Sequence, residues 1–348
     1  MDKKIKVVQC GLGFAGTCIV RAMLSKQKVE CVGAVDKYIG IGKDVGELLG
    51  VTEKTGIIVS DDIEKVLNRT RPDVVIDATT SKIRDIFPHI IKALEVGANV
   101  LTLAEEFTDP WVLEPELTKK IDHTAKKYNA TIIGTGFIPG LWMDVWPFFL
   151  TGYVFSISKI TINYMSDLSP YGRSRAVVKN YGFGLEPDQI IKRIAQGSQK
   201  LSHGTPGLIR NLAKCLELDL TEVREHERPL VSKVRLDYSP VVVIEPGQVY
   251  GAMIDAYGIK NGENIIEIHK GACCKPDMEM EGFGDEPHTE ATIHIEGEPN
   301  ITSRLVINSR KGWSTSAPRL LNWVPYVVKA APGLLSDLRN FPLIGAFM

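Results

Sequence analysis

Residues 5–36 read IKVVQCGLGFAGTCIVRAMLSKQKVECVGAVD, and this stretch decides the fold. The β-branched run over 5–9 has the pattern of a strand buried on both faces. It ends in Gly11-Leu12-Gly13-Phe14-Ala15-Gly16, which opens an amphipathic, helix-like stretch. A second buried-strand pattern over 29–36 ends on Asp36, twenty residues beyond Gly16. Alone, G-x-G-x-x-G is weak, because glycines also mark ordinary turns. Set between a strand and a helix, with an acid closing the next strand, it is the fingerprint of a dinucleotide-binding turn. Gly11 permits the tight turn, Gly13 lets backbone approach a pyrophosphate, and Gly16 lets the helix pack close to the strand. Phe14 and Ala15 lie at the helix N-terminus, which favours phosphate charge. Asp36 is suited to accept hydrogen bonds from the adenosine ribose and to repel a 2′-phosphate, which favours NAD. Lys37 beside it keeps NADP open.

The same grammar continues to residue 140. GIIVS reads as a third strand that leads through Ser60-Asp61-Asp62 into a helix, and DVVIDATT from Asp73 and NVLTLAEE from Asn99 read as the fourth and fifth. Between them lies a helix interrupted by Pro88 and stopped by Gly97. A helix over 114–127 and the strand ATIIGTG complete the series. Strands alternating with helices predict a Rossmann-type, doubly wound parallel sheet over 1–140.

From residue 141 the pattern changes. SISKITINYMSD, VSKVRLDYSPVVVIE, GQVYGAMIDAYGIKNGENIIEIHKG and EATIHIEGEPNITSRLVIN read as strands with only two helices among them, near 186–196 and 207–216. Asn261-Gly262 between alternating runs is a hairpin signal. A second α+β domain over 141–313, with a mainly antiparallel sheet, is expected to bind substrate and to mediate oligomerisation. The tail 314–348 is read as a helix with proline breaks that returns to the first domain.

Composition limits the partners. With 41 Lys+Arg against 42 Asp+Glu, the net charge of −1 gives no field to draw the chain onto nucleic acid or an anionic membrane. The N-terminal residues lack the apolar core of a secretory signal, and no run reaches the ~18 apolar residues of a membrane span. Six cysteines without a C-x-x-C read as reduced thiols of a cytoplasmic protein. The histidines show no metal-ligand spacing, and Cys273 and Cys274, adjacent on a strand, point to opposite faces, so no metal is expected.

Ligands of such sheets sit beyond the carboxyl ends of the strands. Ala78, Thr79 and Thr80 are expected to touch the nicotinamide side of the cofactor, although a plain helix cap would use the same hydroxyls. Glu105 and Glu106 close the fifth strand, either as solvated loop charges or with one carboxylate facing the nicotinamide. An anion there is wrong for a developing alkoxide and right for an amine. It holds the ammonium, takes its proton and stabilises the iminium. Phe137, in the glycine-rich segment 134–140 that closes the sixth strand, is a candidate substrate contact. In the second domain Asn163, Tyr171, His203 and Arg173 are candidate substrate contacts, with Tyr164 and Arg175 nearby. A loop arginine is more often solvated, and a lone histidine is more often structural.

These segments resemble the 2,4-diaminopentanoate dehydrogenases and native amine dehydrogenases of the dihydrodipicolinate-reductase-like superfamily. The resemblance rests on IGKDVGELLG, DVVIDATTS, NVLTLAEEFTDPW, IIGTGFIPG, HIEGEPN and WVPYVVKAAPG, spread over nearly the whole chain. It implies that the acid after the fifth strand acts beside the substrate amine, which carries over to Glu105 first and Glu106 second. Family members usually show Cys-Glu-Glu there, where this chain has Ala104, and often an Asn where it has Ile138. The expected activity is NAD(P)-dependent oxidative deamination of a short amino acid or diamino acid such as 2,4-diaminopentanoate, by a homodimer. Two alternatives remain: reduction of another carbonyl or cyclic imine, and a cofactor-binding sensor without turnover. Dihydrodipicolinate reductases carry a His-His…Lys…Ser-Gly-Thr signature, of which Ser202-His203-Gly204-Thr205 is only an echo.

Overall fold

A computed structural model describes residues 3–274, 288–308 and 316–346. The chain divides into two compact units, Met1–Leu141 with Ser314–Met348, and Trp142–Trp313. No helix among the described residues is long and apolar enough to cross a membrane.

In the first unit, apolar runs become strands and amphipathic runs become the crossovers between them. Along the chain these are β1 (Ile5–Cys10), α1 (Phe14–Leu24), β2 (Val29–Val35), α2 (Val45–Leu49), β3 (Val59–Ser60), α3 (Ile63–Thr70), β4 (Val74–Asp77) and α4 (Ile83–Glu95). There follow β5 (Asn99–Thr102), α5 (Pro110–Leu113), α6 (Pro115–Lys127) and β6 (Thr131–Gly134). The strand pairs are all parallel. Side chains alternate between two cores, as the pleat requires. Val7, Ile76, Leu101 and Ile133 pack towards Ile19 and Met23 of α1, and Val8, Val75, Val100 and Ile132 towards Val66, Ile86, Ile90 and Ile121.

The second unit begins with α7 (Val145–Thr151), β7 (Ser156–Asp167), α8 (Arg175–Tyr181), α9 (Pro187–Ala195) and α10 (Thr205–Cys215). Next come β8 (Glu222–Val231), β9 (Leu236–Tyr238), β10 (Val242–Ile244), β11 (Val249–Lys260), β12 (Glu263–Cys273), β13 (His288–Glu298) and β14 (Ile301–Asn308). Six strands form one sheet in the order β14-β13-β7-β12-β11-β8. All pairs are antiparallel except β7 with β12, which is parallel. One face carries Ile162, Ile254 and Ile268, all fully buried. The other carries a run of charge across four strands: Arg228 to Asp255 at 3.8 Å, Asp255 to His269 at 2.7 Å, and Glu267 to Lys159 at 3.1 Å.

The structure corrects the sequence reading in one strand, in the short helices and in the tail. The strand expected over 231–245 is a small separate hairpin, β9 with β10, and the sheet takes β8 in its place. The short helices α2, α5, α7 and α8 were not anticipated. The returning tail is helical only as α11 (Ser316–Val327), whose Leu320, Trp323 and Val324 join the core against α1. It then forms β15 (Gly333–Leu335), which pairs parallel with β6 and gives a seven-stranded order β15-β6-β5-β4-β1-β2-β3. Residues 314, 315, 347 and 348 of that expected helix lie outside the described residues.

Candidate active site

The glycine turn is built by contact. Gly11 has φ +85°, and a Cβ there would stand 2.7 Å from the Ala78 carbonyl oxygen. A Cβ on Gly16 would overlap the Gly11 carbonyl, so the helix can approach only as glycine. Gly13 is different: nothing lies within 4 Å of its missing Cβ, and no side chain caps the helix N-terminus that it begins. An open cradle of backbone at an uncapped N-terminus fits a pyrophosphate. Beneath it the fully buried Gln9 donates through Nε2 to the carbonyls of Cys10 (2.8 Å) and Gly11 (3.0 Å).

Asp36 locks the next strand end to this turn. Its Oδ2 accepts from Leu12 N at 2.7 Å, and its Oδ1 accepts from Tyr38 N and Ile39 N, both at 2.8 Å. Three of about four lone-pair positions of the carboxylate are thereby taken, which fixes the charge in place and leaves about one for a ribose hydroxyl. Lys37 is exposed, with its Nζ 5.6 Å from the centre of the Tyr38 ring. Cys10 adjoins the turn, but burial above all, with Asp77 and Asp36 adding to it, pushes its thiol well above the usual range. It offers no thiolate.

Three strand ends continue the site. After β4, Ala78 touches the glycine turn, as its carbonyl's approach to Gly11 requires. Thr79, expected to face the cofactor, gives its hydroxyl to Asp77 Oδ1 at 2.6 Å, while Thr80 is half-buried. Asp77 itself is buried, and its Oδ2 lies 3.2 Å from His89 Nδ1. Gln9, Asp77 and His89 escaped the sequence reading. Two polar residues closing otherwise apolar strands, Gln9 and Asp77, were the available signal.

After β5 the two glutamates separate in role. Glu106 Oε2 accepts from Ile83 N at 2.8 Å and so caps α4, whose own N-cap residue, Lys82, supplies no side-chain bond. A carboxylate at a helix N-terminus is favoured by the dipole as well as by the hydrogen bond. Glu105 is half-buried at the start of the 3-10 turn Glu105–Thr108. After β6, the Gly140 carbonyl accepts from Arg319 of α11 at 2.9 Å, and Phe137 and Ile138 are half-buried.

In the second unit the expected contacts divide. Asn163 is exposed and in register with His269, on the charged face of the sheet. Tyr164, buried, lies on the opposite face in register with Lys270. His203 is half-buried in the loop before α10, and that loop is attached to Lys270 through Ser202. Asn163 and His203 therefore belong to opposite sides of the sheet. Tyr171 is half-buried against the cluster of Met165, Phe183 and Tyr250, and Arg173 and Arg175 are exposed.

Known proteins share these features. The profile of the dihydrodipicolinate reductase N-terminus matches residues 5–100. The profile of the 2,4-diaminopentanoate dehydrogenase C-terminal domain matches residues 141–348, more than half of the chain. The chain belongs to the 2,4-diaminopentanoate dehydrogenase family. The 2,4-diaminopentanoate dehydrogenase of Acetoanaerobium sticklandii is 29% identical over 337 residues, covering 95% of this chain and 92% of that one. An amine dehydrogenase of Streptomyces virginiae is 27% identical, covering 97% and 96%. The structure of amine dehydrogenase from Mycobacterium smegmatis shares the fold, with a TM-score of 0.86 at 24% identity, covering 99% and 98%. Against the diaminopentanoate dehydrogenase pattern, Ala104 is fully buried and Ile138 half-buried.

Proposed function

We propose that the protein oxidatively deaminates a short amino acid or diamino acid such as 2,4-diaminopentanoate, releasing ammonia and a keto acid. Family membership makes it an oxidoreductase acting on CH–NH2 groups with a nicotinamide cofactor. The observation that carries the reading is the division of labour after β5. Glu106 Oε2 accepts from the N-terminus of α4, and Glu105, the first candidate by family resemblance, is assigned the chemistry. The backbone at Gly13 and the start of α1 would hold the pyrophosphate, and Asp36 the ribose. When bound, the nicotinamide accepts hydride from the carbon that bears nitrogen. Glu105 holds the substrate ammonium and removes one proton, so that the nitrogen lone pair assists hydride departure. Once that proton has passed to solvent, the carboxylate stabilises the iminium and then deprotonates the water that adds to it.

The fixed charge of Asp36 supports NAD over NADP, since a 2′-phosphate would meet a carboxylate that cannot turn away. The second unit is assigned the remaining substrate contacts, with His203 first among them. Exposed Tyr153, Phe155 and Val306 in that unit support a homodimer, to be measured by light scattering. The reading of the cysteines as reduced thiols supports a cytoplasmic setting.

Incubation with NAD and 2,4-diaminopentanoate at alkaline pH is expected to generate reduced nicotinamide. No signal with either cofactor from folded protein would overturn the assignment. The match of residues 5–100 to dihydrodipicolinate reductase favours imine reduction as the second reading. The reverse reaction separates the two, because reductive amination requires ammonia and imine reduction does not. Glu105→Gln is expected to retain cofactor binding and lose at least ~100-fold in kcat. Glu106→Ala should instead cost about 1 kcal/mol of stability, with a far smaller loss of turnover. Equal losses from both would refute this division.

A further inference from the structure

The second unit contains a cluster of buried charge that the chemistry above does not use. Lys270 of β12 is 4% exposed, and its Nζ donates to Ser202 Oγ at 3.2 Å. Ser202, 1% exposed, shares a 2.7 Å hydrogen bond with the Thr205 hydroxyl at the start of α10. From β8, Glu227 accepts from Leu201 N and Ser202 N, each at 3.0 Å. Glu225, two residues away, pairs with Lys200 at 3.6 Å and feels the charges of Glu227 and Lys270. Ile254 of β11 is in register with both Glu227 and Lys270, so the two charged groups share one face of the sheet.

Apolar side chains would stabilise that face at least as well, because desolvating each ion costs several kcal/mol. What charge adds is direction. Bonds from β8, β12 and α10 hold residues 200–202, and the next residue along the loop is half-buried His203.

We propose that Lys270 and Glu227 are positioning residues for the substrate: they fix the loop 200–204 so that His203 holds its place against the amine. The inference rests on the reading of His203 as a substrate contact, and the test separates the two. Lys270→Met, Glu227→Gln and Ser202→Ala are compared with His203→Asn by steady-state kinetics, cofactor titration and thermal melting. The KM for the amine is expected to rise about tenfold in Lys270→Met and Glu227→Gln, while kcat and cofactor affinity stay within about twofold. In a His203→Asn background, Lys270→Met is expected to raise KM no further, as groups acting through one another are non-additive. Unchanged KM in folded Lys270→Met, or full additivity with His203→Asn, overturns the positioning role. If His203→Asn itself leaves KM unchanged, the underlying reading of His203 falls and takes this inference with it. If Lys270→Met does not fold, Ser202→Ala decides by the same KM measurement, since it removes the hydroxyl that joins Lys270 and Thr205 to the loop and leaves every charge in place.

Discussion

One added carbon has opposite consequences at two glycines three positions apart. Gly13→Ala places a methyl in open space, so the fold should survive while cofactor affinity falls at least ~tenfold by isothermal titration. Gly16→Ala drives a methyl into the Gly11 carbonyl and should destabilise the apoprotein by roughly 1–3 kcal/mol in urea. Equal stability of the two variants would contradict the geometry. Glu225 yields a pH signature. Burial first, with Glu227 adding to it and Lys200 and Lys270 opposing, pushes its carboxyl up from 4.5 to about 7. Between those values the folded state binds more protons than the unfolded one, so the contribution of Glu225 to stability is fully present below pH 4.5 and is lost as pH rises through about 7. The loss is on the order of 3 kcal/mol, and Glu225→Gln should flatten it in melts across that window. Gly11, Gly13, Gly16 and Asp36 were legible because their signal is local spacing. The roles of Glu106 and Asp77 were not, because their partners Ile83 and His89 come from another helix whose approach only the packed fold defines.

Strands announced themselves where one face or both were apolar, which is why β1–β7 and β11–β14 could be read from sequence. β8 could not: its covered face is Val223, Glu225, Glu227 and Pro229, two of them charged, so the period of two carries no hydrophobic signal. Its burial depends on Lys200 and Lys270, which lie elsewhere in the chain. β15 is three residues long and follows a helical pattern, so its pairing with β6 was equally hidden. Its contribution can be measured. Leu334 packs against the core shared by α4 and α6, and Leu334→Ala should cost about 1–2 kcal/mol in equilibrium unfolding. No change would mean that the strand is ornamental.

Each unit has its own sheet and its own core, and the dinucleotide fingerprint belongs wholly to the first. At a hundredfold excess over Kd, bound cofactor stabilises the state it binds by about 2.7 kcal/mol. Hydrogen exchange should therefore slow over 10–16, 36–39 and 78–81, while the amides of β8 and β11 keep their rates. Protection spreading evenly through both sheets would argue against a cofactor site confined to the first unit. The placement of β15 also bears on biosynthesis. β6 leaves the ribosome roughly 200 residues before its neighbour, so at ~10 residues per second its unpaired border waits about 20 s for the strand that seals it. A nascent chain with that border bare invites pairing with other nascent chains. Expression yield should then respond more to holdase chaperones than to slower translation.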